Sequence, residues 1–348
     1  MEGGAGWDTY MDGKKQKQKR KVKRKKPNWS RRRPGRPKKK KWMPPRTGRP
    51  KYDKFRANEV MDVANEIRMF VERERIHEKQ PGGPGRPPAK KRDIIKCLLL
   101  LEYLNCKIQK SPSMLRIYKD ILKIDKIPAP RTLYKYRAMS SMTGILERLL
   151  KKSAHELWMK ETMAATDATG NPHCKGKHWR KDRGNFKKHR GYDKAHYIVG
   201  IRSLVIPHKR VTRGTWSDLP EFEPLVQNSI PGSNITQILA DSGYVDNSNY
   251  ELASEYGATP YIKPKDNAVF RPHPSNAYER MVHYATKFPK RWKEVYRFRV
   301  KAECAIHSKK AAFGDIIRGK DPPSRRNQEL LRDIVHNFRM TLMDRYGG

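Results

Sequence analysis

Three acids are set where carboxylates can share one ion. Asp167 follows the short apolar run 163–166 and precedes Ala168-Thr169-Gly170; Asp241 follows the run 235–240 and precedes Ser242-Gly243-Tyr244. Both runs read as strands, and strand ends in an open α/β sheet are where a crevice forms because the flanking helices stop short. If the two strands are neighbours, the carboxylates converge, and a third acid from a helix across the sheet completes an oxygen-rich cage. Such a cage suits magnesium, a hard ion that prefers oxygen ligands. Glu303 is the candidate third ligand. Tyr296, Arg299, Glu303 and Lys310 are spaced by three, four and seven residues, which on a helix puts them within an arc of roughly 60°. His307 shares that stripe. A stripe of this kind is also what a solvated helix face with i,i+4 charge pairs looks like.

The elements that must position these residues follow from the apolar pattern. Beyond residue 160, short apolar runs alternate with helical stretches, which predicts an α/β domain. Strands are expected at 163–166, 195–205, 209–215, 235–240 and 259–262, with helices at 219–230, 249–256 and 293–313, the last carrying the stripe. Before residue 160 the pattern is helical. Val60, Val63, Ile67, Phe70 and Val71 recur at helical spacing over 57–79, and a Pro/Gly linker at 81–88 ends that helix. Helices follow over 92–108, from Ser111-Pro112 through 124, from Arg131 onward and over 143–160. The short basic helix bearing Lys135 and Arg137 suits a helix-turn-helix recognition element. A plain helical support domain fits the same pattern.

Charge narrows the partner. The 348 residues carry 78 Lys and Arg against 36 Asp and Glu, a formal charge of +42. That excess favours a polyanion, with DNA or RNA first because bound phosphates release condensed counterions, and an acidic membrane surface second. No apolar run approaches the ~20 residues needed to span a bilayer, and no signal-peptide core opens the chain. A soluble, cytoplasmic and nucleoid-associated protein is expected. Residues 1–56 hold 23 Lys and Arg against four acids, a composition that predicts a disordered basic arm. Within it, Gly35-Arg36-Pro37 and Gly48-Arg49-Pro50 resemble AT-hook cores that send Arg into a narrow minor groove. In both, the usual Arg before the Gly is replaced, by Pro34 and Thr47.

Other residues are expected to do less. The four cysteines form no CxxC pair, and a zinc site at His173, Cys174 and His178 lacks a fourth ligand. These histidines, with His189 and His196, read as DNA-facing polar residues, and Trp179 and Trp216 as packing residues. Asp182 and Asp193 are expected in a loop, and Asp246, Asp266 and Glu294 on the surface.

Taken together, Tyr296-x2-Arg299-x3-Glu303-x6-Lys310 resembles the YREK signature of insertion-sequence DDE transposases, the prokaryotic group that includes families four and five. Thr166-Asp167-Ala168-Thr169-Gly170 is similar to the block around that family's first Asp, and Asp241-Ser242-Gly243-Tyr244 to the second. Lys194-Ala195-His196 looks like its Lys-x-His, and Gly85-Arg86-Pro87-Pro88 like its N-terminal helical segment. The likeness spans about residues 83–345. It implies an RNase H-like mixed sheet over 161–345, preceded by a helical DNA-binding region over 57–160. It also implies two Mg2+ ions, with Mn2+ able to substitute, held by Asp167, Asp241 and Glu303. Tyr296, Arg299 and Lys310, together with Arg36, Arg49, Arg86, Lys135 and Arg137, are then the expected DNA contacts. The partners are double-stranded DNA and a second copy of the chain. A decayed or domesticated DNA-binding protein and an RNase H-like nuclease are the rival readings. The segment between Ile262 and Lys293 is too short for the β-rich insertion of some relatives, so a compact variant is expected.

Overall fold

The computed structural model describes residues 50–78, 89–182 and 185–347. Side chains at 50–52 and 174–190 are outside that description, as are Arg36, Arg49, Arg86 and the AT-hook-like segments.

Five helices come first: α1 (Pro50–Arg73), α2 (Lys91–Tyr103), α3 (Ser111–Leu122), α4 (Pro130–Ala138) and α5 (Ser140–Trp158). The starts of α3 and α4 are set by Pro112 and Pro130 in the first helical positions, where a missing N–H costs nothing and the fixed φ is already helical. α3 stops at Lys123, which turns left-handed with φ 48°. The first helix lies earlier than expected, at 50–73 rather than 57–79. Leu98, Leu99, Leu100 and Leu101 of α2 are all buried, which accounts for an apolar run without a polar face.

The sheet then forms from β1 (Met163–Asp182), β2 (Asn185–Gly200), β3 (His208–Arg213), β4 (Gln237–Ala240) and β5 (Thr259–Ile262), in the order β3-β2-β1-β4-β5. β1, β2 and β3 are antiparallel neighbours, whereas β4 runs parallel to β1 and β5 parallel to β4. The sheet is mixed and flanked by helices, the α/β architecture expected. β1 does not end at Asp167 as expected. It continues with β2 into a long two-stranded ribbon, so Asp182 and Asp193 lie in strands and not in a loop.

The remaining helices are α6 (Phe222–Ser229), α7 (Asn247–Glu255), α8 (Ala277–Lys287), α9 (Pro289–Tyr296), α10 (Val300–Phe313) and α11 (Pro322–Gly347). Local chemistry fixes several boundaries. Asn276 accepts the Glu279 N–H at 2.8 Å and starts α8; Gly314, with φ 80°, ends α10. Asp321 accepts the Ser324 N–H at 2.9 Å beside Pro322 and Pro323, opening α11. Only α8 separates β5 from α9, the compact arrangement expected.

α11 runs between two buried clusters. Leu330, Leu331, Ile334, Val335 and Phe338 pack with α1, α2 and α5, while Met340 joins the cluster around the sheet. Helices α1–α5 therefore share their apolar core with the C-terminal helix. The polar side of α11 is buried as well, and each of its charges meets a partner. Asp333 holds Lys209 and Lys309, Arg332 holds Glu102 at 3.0 Å, and Asn337 bonds both the N–H and the carbonyl of Ile206. Among the described residues, no helix is long and apolar enough to cross a membrane.

Candidate active site

Strand register brings the first two acids together. Ala165 pairs with Leu239 between the parallel strands β1 and β4. Each acid lies two residues beyond its member of that pair, so continuing the register sets Asp167 beside Asp241 on one face. On the antiparallel side Asp167 pairs with Tyr197 of β2, whose hydroxyl meets Lys309 Nζ of α10 at 2.6 Å. That contact places α10 over the face from which Asp167 projects.

The third acid arrives on α10. Arg299 Nη1 lies 3.8 Å from Asp167 Oδ1, and Arg299 also bonds Glu303. Lys310, two turns along, donates to Thr169 Oγ1 at 2.8 Å and to the Gly170 carbonyl at 2.9 Å. Tyr296 stacks on the buried Trp292, with ring centroids 4.4 Å apart and planes 18° apart. Arg299 and Lys310 of the predicted stripe thus reach β1, with Glu303 tied to Arg299, although not on one unbroken helix. Residues 297–299 tighten into a 3-10 turn between α9 and α10, which winds Tyr296 and Arg299 differently from the ideal 100° step.

Electrostatics single out Asp167. Burial pushes its carboxyl up to about 6, opposed by the Ala168 N–H and by Arg299, and the negative charges of Glu303 and Asp241 push it further up. The two neighbouring acids therefore act on it as like charges. Burial also raises the Tyr296 phenol, with Asp241 and Glu303 adding to the rise and Arg299 opposing it. Burial lowers Lys310, partly offset by Asp315 and Glu329. For Arg299 burial acts downward, but the bond to Glu303 and the charges of Tyr296, Glu303 and Asp167 leave it raised.

The donor chemistry fits a divalent cation. Three carboxylates supply hard oxygen ligands, and the surplus negative charge around Asp167 is what such an ion neutralises. Among the described residues, no three His, Cys, Asp or Glu side chains are grouped closely enough to hold a metal ion. Arg299 bridges Asp167 and Glu303 in that arrangement, and the Glu303 side chain is 49% exposed.

Other expectations fare differently. Lys135 is exposed on α4. Arg137 is not a DNA-facing residue: it is 4% exposed, 3.8 Å from Glu102, and its Nε donates to Ser324 Oγ at 3.1 Å. The helical period put it on the basic face, but packing against α11 turned it inward. Trp216, expected to pack, is 51% exposed. His173 and Asp193 meet at 3.0 Å, and Arg325 takes the same carboxylate at 2.6 Å. His196 is fully buried, bonding Thr212 Oγ1 and Asp218 rather than facing outward.

Sequence reasoning missed Asp218. Lys194 Nζ and His196 Nδ1 reach it at 2.8 and 3.0 Å, and these hydrogen bonds hold its carboxyl below the usual range despite burial. Lys194 and His196, two apart on a strand, had to share a face. That spacing was the available signal for a common acidic partner. Asp218 stands close to the site. A Cβ at Gly243 would meet Asp241 Oδ1 at 3.0 Å and Asp218 Oδ2 at 3.6 Å, and the Gly243 N–H itself donates to Asp241 at 2.9 Å.

Residues 158–338 match the family described as the transposase DDE domain, whose members work with divalent metal ions. No curated protein matches the chain. Two solved structures resemble it distantly. The piggyBac transposase synaptic complex with hairpin DNA is 9% identical, with a TM-score of 0.39 over 85% of this chain and 78% of that one. The Drosophila P element transposase strand transfer complex is 13% identical, with a TM-score of 0.26 over 60% and 43%. The family match extends over more than half of the 348 residues, and on that ground the chain belongs to the DDE-domain transposases, enzymes that cut and rejoin polynucleotide strands.

Proposed function

We propose that this transposase nicks the ends of an insertion sequence of the YREK group and joins the freed 3′ ends to target DNA. Asp167, Asp241 and Glu303 would hold two Mg2+ ions, with Mn2+ able to replace them. The observation that carries the reading is that Arg299 bridges Asp167 of β1 and Glu303 of α10, while the register of β1 with β4 carries Asp241 alongside Asp167. When bound, the ions would supply an activated water or 3′-hydroxyl oxygen and neutralise the leaving oxygen of an in-line displacement.

The chain's own residues would orient the phosphate. Arg299 offers a two-pronged guanidinium that exchanges its carboxylate partners for phosphate oxygens. Lys310, anchored on Thr169 and Gly170, gives a fixed point charge beside the strand that bears Asp167. Tyr296, braced on Trp292, presents a phenol to a phosphate or a displaced base. No covalent protein–DNA intermediate is required. The exposed Lys135 and the basic residues before α1, Arg36 and Arg49 among them, would add DNA contacts, as would Arg86. Two copies of the chain would hold the two element ends. A prokaryotic nucleoid is the expected setting.

Asp241→Ala tests the reading. An ion-held transition state stabilised by several kcal/mol predicts a loss of more than about thousandfold in metal-dependent cleavage, with end binding retained. Retained cleavage would sink the assignment. A pre-nicked end that is never joined to target would leave an RNase H-like nuclease instead. Short inverted repeats bounded by direct duplications around the reading frame are expected; their absence would mean a domesticated or decayed copy.

A further inference from the structure

A second charged region lies away from the acids. A cleft of about 650 Å3 opens between the segment joining α2 to α3, helix α4, the segment joining α10 to α11 and the first turns of α11. Lys107, Arg131, Lys135, Arg318 and Lys320 line it. Four of them, Lys107, Arg131, Lys135 and Lys320, have no acidic partner among the described residues, and the Arg318 guanidinium bonds the carbonyl and side chain of Asn105 and no acid.

The acids nearby do not balance this charge. Glu102 is buried and already committed to Arg332 at 3.0 Å and Arg137 at 3.8 Å. Asp321 is occupied in capping α11. Besides Arg137, which Glu102 holds, five cations therefore face a cleft whose two acids, Glu102 and Asp321, are already engaged. Folding gains nothing from holding unpaired like charges together, because each repels the others. An incoming polyanion removes that cost.

The floor of the cleft is tied to the strand that carries Asp167. Ile317 donates its N–H to the Pro172 carbonyl of β1 at 2.9 Å, and His173 bridges to Ile317 in parallel. Two residues later Gly319 is held by Gln328 and packs so closely that a Cβ would sit 2.6 Å from the Arg325 backbone N. Arg318 and Lys320 are thus fixed relative to β1, through a short chain of backbone contacts.

We propose that this cleft binds the phosphate backbone of duplex DNA flanking the strand being processed, at a fixed offset from Asp167. The cations come from three separate chain segments, which suits a run of phosphates and not a single anion. Of the five, Arg318 alone is held by a second side chain, that of Asn105; the four lysine and arginine side chains without such a partner suit phosphate contact, so the contact is sequence-independent. The inference rests on the DNA-processing reading above, and extends it to a surface that holds no catalytic acid.

The experiment uses the full chain in EDTA, so that binding is read without cleavage. A 30-bp duplex is titrated by fluorescence anisotropy against the wild type and against Lys107→Ala, Arg131→Ala, Lys135→Ala and Lys320→Ala combined. Removing four phosphate contacts lowers the slope of log K against log salt by about 3 to 4, with a loss of roughly tenfold or more in affinity that is the same for unrelated sequences. Cys106, which also lines the cleft, reports on the wild type alone. Duplex DNA is expected to slow its alkylation, read by peptide mapping, which keeps the test open should the quadruple variant not fold. An unchanged slope, or Cys106 alkylated equally fast with and without DNA, overturns the inference. So does protection by single-stranded RNA and not by duplex DNA. If the variant binds normally while the wild type cleaves, only the cleft fails. If it loses binding while the wild type cuts no DNA, only the enzymatic reading fails.

Discussion

Asp167 and Asp333 are both acids in sheltered positions, yet their surroundings push them in opposite directions. Asp333, on α11, meets two ammonium groups, Lys209 and Lys309, which hold its carboxyl below the usual range although burial acts upward. Asp167, on β1, faces one arginine at 3.8 Å and two like charges, and rises to about 6. The first arrangement is closed: it satisfies itself and welds helix to sheet. The second has negative charge to spare, which a folded chain keeps only where something positive is to come. Perturbed acids gather at functional sites for this reason. The α4 cleft is the mirror case, with cations to spare.

The strongest way to break that contrast is to open the closed arrangement. Asp333→Asn leaves Lys209 and Lys309 buried with half their compensation gone, and removing one partner of a buried pair costs about 3–5 kcal/mol. Denaturant unfolding should register that loss, and adding Lys309→Met should recover part of it. A variant as stable as the wild type would mean that Glu329, 3.3 Å from Lys209, suffices alone.

Acid sharpens the contrast next. His336 and His208 are lowered to about 4 from 6.5, chiefly by burial. The unfolded chain takes up these protons from pH 6.5 downward and the folded chain does not until about 4. Stability therefore falls across that window as pH drops, by up to about 1.4 kcal/mol per pH unit for each histidine. Asp333 adds nothing there, because its contribution is lost only below the ordinary carboxylate range. Thermal melts at pH 7, 5.5 and 4.5 should show the decline, and His336→Gln should make it shallower. A flat profile would contradict the burial of both rings.

The smallest effect has the opposite sign. A carboxylate whose folded pKa is raised destabilises the fold once pH exceeds its unfolded value. Asp167→Asn should then raise stability at pH 7.5 while abolishing cleavage. With the carboxyl partly open to solvent, the gain is on the order of 1 kcal/mol, or about 2–4 °C in Tm. A lower Tm would mean that Asp167 is compensated after all.

Much of the site was legible early because its signals are local. An acid after a short apolar run, twice, and four residues at helical spacing need only periodicity, and Asp167, Arg299, Glu303 and Lys310 lie near one another in the structure although β1 runs on past Asp167 and a 3-10 turn interrupts the helix. What failed had non-local causes. The extension of β1 past Asp167 depends on pairing with β2, so Asp182 and Asp193 could not be placed in strands beforehand. The inward turn of Arg137 depends on Glu102 and on Ser324, 187 residues away in sequence. Asp218 gained meaning only once Lys194 and His196 closed on it.

The amino-acid order by itself determined most of the helices and where each of the five strands falls, though not α8, α11 or the length of β1 and β2, together with where the basic charge is concentrated and which acids and bases could share a face, since these follow from side-chain period and turn chemistry within a few residues. Tertiary structure alone decided which charges are matched and which are left over. Charge balance is a property of neighbours in space, and α11, last in the chain, supplies many of those neighbours: Asp333 to Lys209 and Lys309, Arg332 to Glu102, Ser324 to Arg137.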